Sequence, residues 1–247
     1  MLTGHSTQDT LKGQNVEHVP EGFEILSVKD SFDSWAEYYD DTFDILVKVE
    51  SNTVLRLLSK VKNKFVLDLG CGTGRYTLPL LKKGAKITAV DVSSRMLSVL
   101  SSKTNKDDKK NLVLVNSDVS ALSLNKSYYD LAVSGLMFDH IKNMKPAFKK
   151  ISKLLKKDAE FIFSVYSPYK DNAFEGPTIH LPDRKIIVPT YQHDLETYFN
   201  IIKKSGFMIV DLKEPKVTAR HRLFYNSQSF KRYAGRPLLL VFKLKKL

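Results

Sequence analysis

The chain has 247 residues, room for one large α/β domain with a substantial core and too few for two. Its single cysteine, Cys71, excludes an internal disulfide; no apolar run reaches membrane-span length, and the polar start MLTGHSTQDTLKGQ lacks a signal core, so a cytoplasmic protein without a membrane partner is expected. The net charge of +12, from 39 basic and 27 acidic residues, keeps nucleic acid open as a partner.

Residues 1–22 are polar without a period and read as a mobile tail, leaving 23–247 as the single domain. From Asp30 to Lys60, Trp35, Tyr38, Tyr39, Phe43 and Leu46, then Val54, Leu57 and Leu58, recur at helical intervals. Two helices leading into the first strand are expected, making 23–60 a helical lid. The stretch KFVLDLGCGTGRYTLPLLKKGAKITAVD, residues 64–91, follows: an apolar strand (Phe65 to Leu69), a glycine turn, a helix from Arg75 to Lys83 with Pro79 bending it, and a strand ending on Asp91. Ser93 reads as the N-cap of a helix to about Ser102, and 103–111 as a surface connector. Leu112–Val115 and Asp130–Val133 are continuous apolar runs, the pattern of parallel strands covered on both faces. Over Lys142–Lys157, Met144, Phe148, Ile151 and Leu155, with Ile141 just ahead of them, keep a buried helical stripe, which puts the lysines on the wet face. Strand Phe161–Val165 precedes an aperiodic, proline-containing insertion, 167–190, of a length that is usually functional. A helix Asp194–Ser205 closed by Gly206, a strand Phe207–Leu212 and a last strand Pro237–Leu244 complete the chain.

The glycine turn carries the chemistry. Gly70, Gly72 and Gly74 alternate, so bare backbone can approach a ligand, and a helix starts directly behind them with free N–H groups facing the same crevice. Seventeen residues past Gly74, Asp91 places a carboxylate where a ribose diol would lie, as in a nucleoside-binding βαβ unit. A dinucleotide turn needs G-x-G-x-x-G, but Arg75 or Thr77 stands at the last position in either frame; a phosphate loop needs a lysine after the glycines, and none is there. An acid, Asp68, lies two residues ahead of Gly70 instead.

This D-x-G-x-G-x-G segment resembles the first motif of class I S-adenosylmethionine-dependent methyltransferases, and further pieces follow in order: Asp91 with Met96 five residues on, Asn116-Ser117-Asp118-Val119, and the strand Tyr129–Ser134 running into Gly135-Leu136-Met137-Phe138-Asp139-His140. Asp158 and Ala159 depart from the pattern, standing where glycines are usual before the fifth strand, so a differently shaped turn is expected there. Phe32-Asp33 through Tyr38-Tyr39-Asp40-Asp41 looks like the entry helix of quinone C-methyltransferases and of the malonyl-carrier O-methyltransferase. The resemblance implies a Rossmann-like, seven-stranded, mostly parallel sheet with an antiparallel last strand and helices on both faces. It implies S-adenosyl-L-methionine as cofactor, contacted by Tyr39 from the lid, by Asp68, Gly70, Cys71, Gly72, Thr73 and Gly74 around the turn, by Asp91, Val92 and Met96, and by Asp118, Val119 and Gly135.

Methyl transfer from a sulfonium also needs a proton acceptor wherever the methylated group carries a proton. His140 follows the fourth strand in the loop that would face the sulfonium, His193 opens the helix behind the insertion, and His180 within it is the weakest candidate. No metal is implied. The expected reaction is methylation of a small-molecule acceptor held beneath the lid and the 167–190 insertion. The alternative is a tRNA or rRNA methyltransferase, motivated by Lys213, Lys216, Arg220, Arg222, Lys231, Arg232 and Arg236, which have almost no acids among them.

Overall fold

A computed structural model describes residues 21–42, 45–58, 60–168, 178–224, 230–231 and 233–247. All but the last two residues of the expected tail, together with Phe43, residues 169–177 of the insertion and Arg232, fall outside them. The architecture is a seven-stranded sheet built from β2 (Phe65–Leu69), β3 (Lys86–Asp91), β4 (Leu112–Asn116), β5 (Tyr129–Gly135), β6 (Leu155–Tyr166), β9 (Phe207–Lys213) and β10 (Leu239–Lys246). Their spatial order is β4-β3-β2-β5-β6-β10-β9. The first five pair in parallel, and β10 inserts antiparallel between β6 and β9. The strand order reverses between β2 and β5, so a crevice opens at the carboxyl end of β2, where the glycine turn begins.

Helices α1 (Val28–Trp35), α2 (Ile45–Leu57), α3 (Thr77–Lys82), α4 (Ser94–Lys103), α5 (Lys106–Lys109), α6 (Met144–Leu154) and α7 (Leu195–Lys204) surround the sheet. Short polar side chains start several of them by accepting from the first turn: Ser27 from the Asp30 amide, Ser93 from Met96, Asn143 from Lys145 and Asp194 from Thr197. One core layer centres on Phe138, Phe148, Phe161, Phe163 and Phe242, beneath α6 and α7. The other joins Val66, Ile87 and Val133 to Val54, Leu80, Leu97 and Leu100 from α2, α3 and α4. Among the described residues, no helix is long and apolar enough to cross a membrane.

Several expectations are corrected. β4 is an edge strand, and Val113 on its outer face is 57% exposed, so its unbroken apolar run does not mark cover on both faces. The connector 103–111 contains α5, capped by Asn105. Arg75 and Tyr76 belong to the turn, α3 beginning only at Thr77. The lysine-rich helix stops at Leu154, short of the expected Lys157, and runs straight into β6, which starts at Leu155, six residues before the expected Phe161. Asp158 inside that strand takes φ +63°, the left-handed conformation a glycine would hold there, and its carboxylate reaches Lys245 at 2.8 Å. A second, three-stranded sheet was not foreseen: β1 (Phe23–Ile25) pairs in parallel with β8 (Lys185–Ile187), which pairs antiparallel with β7 (Thr178–His180). It joins the start of the lid to the insertion, and Ile179, Ile186 and Val188 pack there against Phe32 and Trp35.

Candidate active site

At the carboxyl edge of β2, β3 and β5 lies a cavity of about 350 Å³. One end is built from the ends of the strands. Gly70 takes φ +64°, and a Cβ on it would stand 2.7 Å from Met137 Cγ, so only glycine lets the turn and the loop after β5 close together. Gly72, at φ +53°, faces open space, the nearest atom to an added Cβ being Tyr39 Cε1 at 4.0 Å. The Gly72 N–H donates to Asp91 Oδ2 at 2.8 Å and the Ser93 N–H to Asp91 Oδ1 at 2.9 Å. Burial pushes the Asp91 carboxyl above its ordinary range, and these two N–H groups pull it partly back. Asn116 Nδ2 donates to the carbonyls of Asp91 and Val92, tying β4 to the same corner. Asp118 turns its own loop by accepting from the Ser120 amide at 2.7 Å.

The other end is roofed by the N-terminal segment, where Phe32, Trp35 and Tyr39 face the cavity. Their rings pack edge to face or stacked, Trp35 lying 4.7 Å from Tyr39 and Phe32 lying 5.1 Å from His140 between centroids. Carboxylates fasten this roof to the glycine turn and to α4. Asp33 accepts from Ser93 Oγ at 2.6 Å and from the Arg95 amide; Asp40 accepts from Thr73 Oγ1 at 2.7 Å and pairs with Lys103. His140 Nδ1 lies 2.8 Å from the Pro189 carbonyl. Because a carbonyl only accepts, the proton sits on Nδ1 and the lone pair on Nε2. Burial moves this imidazole below its ordinary pKa, so it is neutral at pH 7.

The cavity wall brings together Tyr39, Gly70, Gly72, Asp91, Val92, Met96, Asp118, Val119, Gly135 and His140. It does not include Asp68, Cys71, Thr73, Gly74 or His193. Asp68 is fully buried behind the turn; Oδ2 accepts from Thr77 Oγ1 at 2.6 Å while Oδ1 has no partner, and burial pushes the carboxyl up to about 7. Cys71 is buried and its thiol is pushed well up, which suits a space-filling role. Gly74 makes room for Leu100, whose Cδ1 would be 2.4 Å from an added Cβ. His193 is held away from the cavity, with Nε2 2.9 Å from the Ile141 carbonyl and its ring edge-on to Tyr198. His180 lies on β7 against Phe23.

Sequence reasoning missed Val47, Leu136, Met137 and Tyr166 in the wall, and behind it Glu50. Glu50 had a signal: on α2 it sits among Leu46, Val47, Val54 and Leu57, an acid on the apolar face of a helix. Lys29 is the only cationic side chain lining the cavity among the described residues, and Asp33 engages it at 2.6 Å.

Residues 67–163 match the profile of a family described as a methyltransferase domain. The chain is 32% identical over 133 residues to a malonyl-[acyl-carrier protein] O-methyltransferase of Priestia megaterium, a match covering 51% of this chain and 47% of that protein. It therefore spans about half the length of that relative. An uncharacterized protein of Haemophilus influenzae is 28% identical over 229 residues, covering 81% of this chain and 87% of its own length. Among solved structures, an S-adenosylmethionine-dependent methyltransferase from Mesorhizobium loti superposes with a TM-score of 0.64 at 19% identity, covering 80% of this chain and 98% of that one.

Proposed function

We propose, from the premise that this chain carries a class I S-adenosylmethionine-dependent methyltransferase domain, that it transfers the cofactor's methyl group to a small-molecule acceptor held under the N-terminal roof. When bound, the cofactor supplies an electrophilic methyl on a sulfonium. The chain's own residues fit such a ligand. Asp91, anchored by two amides and facing the cavity, would take the ribose hydroxyls. Met96 and Val119 offer apolar contact to a base, with Asp118 at its edge. Gly72 leaves its backbone bare for the amino-acid portion, and among the described residues the wall's one lysine, Lys29, is engaged by Asp33.

The observation that carries the small-molecule reading is the roof. Phe32, Trp35, Tyr39 and Tyr166 enclose the end of the cavity beside His140, which excludes water from the transfer step and leaves room for a compact, largely apolar acceptor. His140 Nε2, with its lone pair, is the group suited to take a proton from a hydroxyl, enol or amine acceptor. One relative is named for O-methylation of a malonyl-[acyl-carrier protein], which makes acidic oxygens a first class to try. An ionised carboxylate would need no base. The RNA alternative draws no support from the relatives, and Met144, Phe148, Ile151 and Leu154 turn the lysine-rich helix α6 inward, as solvation of its opposite face requires.

Incubation with a methyl-labelled donor, a metabolite mixture and total RNA tests the proposal: label is expected in the small-molecule fraction. In parallel, Asp91→Ala should weaken S-adenosylhomocysteine binding in calorimetry by roughly 10- to 100-fold, as loss of a charged hydrogen-bonding partner does. Label confined to RNA, or an unchanged affinity in the variant, would overturn the respective half of the reading.

A further inference from the structure

We propose that Glu50 is a positioning residue for the transfer site: from helix α2 its buried carboxylate fixes, through Arg75 and Ser164, the two cavity-wall residues Gly135 and Leu136. This rests on the methyltransferase reading above. Glu50 is wholly buried. Oε1 accepts from the Tyr76 hydroxyl and from Ser164 Oγ, and Oε2 lies 3.0 Å from Arg75 Nη1. Each of those partners continues to the wall. Arg75 Nη2 donates to the Gly135 carbonyl at 3.1 Å. Ser164 accepts from the Leu136 N–H through both Oγ, at 3.2 Å, and its own carbonyl, at 3.1 Å.

The wall needs such support. Leu136 has φ +59°, a left-handed conformation unfavourable for a side chain branched at Cγ, and one that persists only where the surroundings hold it. Gly135 is shaped by the same network, since a Cβ there would lie 2.5 Å from Tyr76 Cε2 and 2.7 Å from Arg75 Nη2. These residues open the loop that leads through Met137 to His140, both of them in the cavity. One turn before Glu50 on the same helix, Val47 also lines the cavity. Docking of α2 and the shape of the transfer wall are therefore a single equilibrium, so a ligand that favours the wall must favour the docked helix equally.

A buried ion pair that served only folding would behave differently, and two variants separate the cases. Glu50→Gln keeps the side-chain volume but leaves Arg75 buried without its counter-charge, a strongly destabilising change; Glu50→Gln/Arg75→Met removes both charges and should recover most of the stability. If Glu50 positions the wall through its pairing with Arg75, the double variant folds yet binds S-adenosylhomocysteine roughly tenfold or more weakly, because the Gly135 carbonyl has lost the donor that Glu50 holds in place. The second readout is hydrogen exchange. Ligand-induced protection of amides 45–57 is expected in the unmodified chain and should vanish in the variant. A folded double variant with normal affinity and normal protection overturns the inference and leaves a structural ion pair. If the unmodified chain itself fails to bind S-adenosylhomocysteine, the methyltransferase reading falls first. Should the single variant not fold, the double variant alone decides.

Discussion

The two ends of the cavity are secured by different means. At the strand end the ligand-facing groups are main-chain atoms and the carboxylates Asp91 and Asp118, locked by hydrogen bonds between the ends of neighbouring parallel strands: Asp91 to Gly72 and Ser93, Asn116 to Asp91 and Val92. At the roofed end they are side chains from distant segments, Phe32, Trp35, Val47, His140 and Tyr166, held together by packing and by the acids Asp33, Asp40 and Glu50. The first arrangement is set by adjacent paired strands and the turns at their ends, whereas the second gathers segments from across the whole fold. On the proposed reading, cofactor and acceptor contacts are drawn from different parts of the chain, joined where Asp33 and Asp40 of the roof meet Ser93 and Thr73.

The sharpest way to break this division is at His140. With an acceptor that must lose a proton, His140→Ala should reduce kcat by about 10²- to 10⁴-fold, the usual range for a general base, while S-adenosylhomocysteine affinity in calorimetry stays unchanged. A comparable loss of cofactor affinity would mean that the two ends are not separable. The pH profile sharpens the point. Burial holds the folded imidazole below its ordinary value of 6.5, and only the neutral form accepts a proton. The rate should accordingly be flat near neutrality and fall on the acid side of pH 6.5, a limb that His140→Gln abolishes.

Asp68 offers a smaller effect at the strand end. Its folded pKa is raised to about 7 from 3.8, so the protonated carboxyl is the form that the folded state favours. The sign follows: the associated stability is fully present below pH 3.8 and is lost as pH rises through 7, at most about 4 kcal/mol for a shift of that size. Asp68→Asn should flatten this dependence and raise the Tm of the ligand-free chain at pH 8. If the cofactor's ammonium compensates the unpartnered Oδ1, saturating ligand should stabilise the unmodified chain more at pH 8 than at pH 5 and lose that difference in the variant. No such difference would assign Asp68 to the support of the turn alone, in keeping with its place outside the wall.

The same contrast explains what the sequence disclosed. The strand end was legible because its signals are local: alternating glycines, an acid at a strand's end, a serine cap at Ser93. The inserted antiparallel β10 was foreseen by family resemblance and is present. The roofed end was half legible. The helical stripe expected through Trp35 and Tyr39 is interrupted, the helix ending at Trp35 and Tyr39 opening a 3-10 turn, and the meeting of these rings with Tyr166 and His140 depends on contacts between segments over 100 residues apart in sequence. The β1-β8-β7 sheet escaped because strands of three residues carry too little alternation to register. Glu50 was passed over for a different reason: an acid on an apolar stripe looks like a break in the pattern until its partners Arg75, Tyr76 and Ser164 converge on it from other elements.

The smallest expected effect separates the two histidines that the sequence left as candidates. His193 and His140 both lie near the roofed end, and both rings bond to main-chain carbonyls, but to opposite purpose. His140 gives its Nδ1 proton to Pro189 and lines the cavity, whereas His193 presents Nε2 to the Ile141 carbonyl and stands outside the wall. A ring that donates through Nε2 has only Nδ1 left, and the helix cap Asp194 follows it directly in the chain. His193→Ala should therefore leave kcat within about twofold while lowering Tm modestly, the cost of one intramolecular hydrogen bond being about 1 kcal/mol. Replacement by Gln, which can still donate to Ile141, should restore the Tm. A kcat loss in His193→Ala matching that of His140→Ala would move the proton acceptor out of the cavity wall and place the transfer step on the His193 side of Ile141.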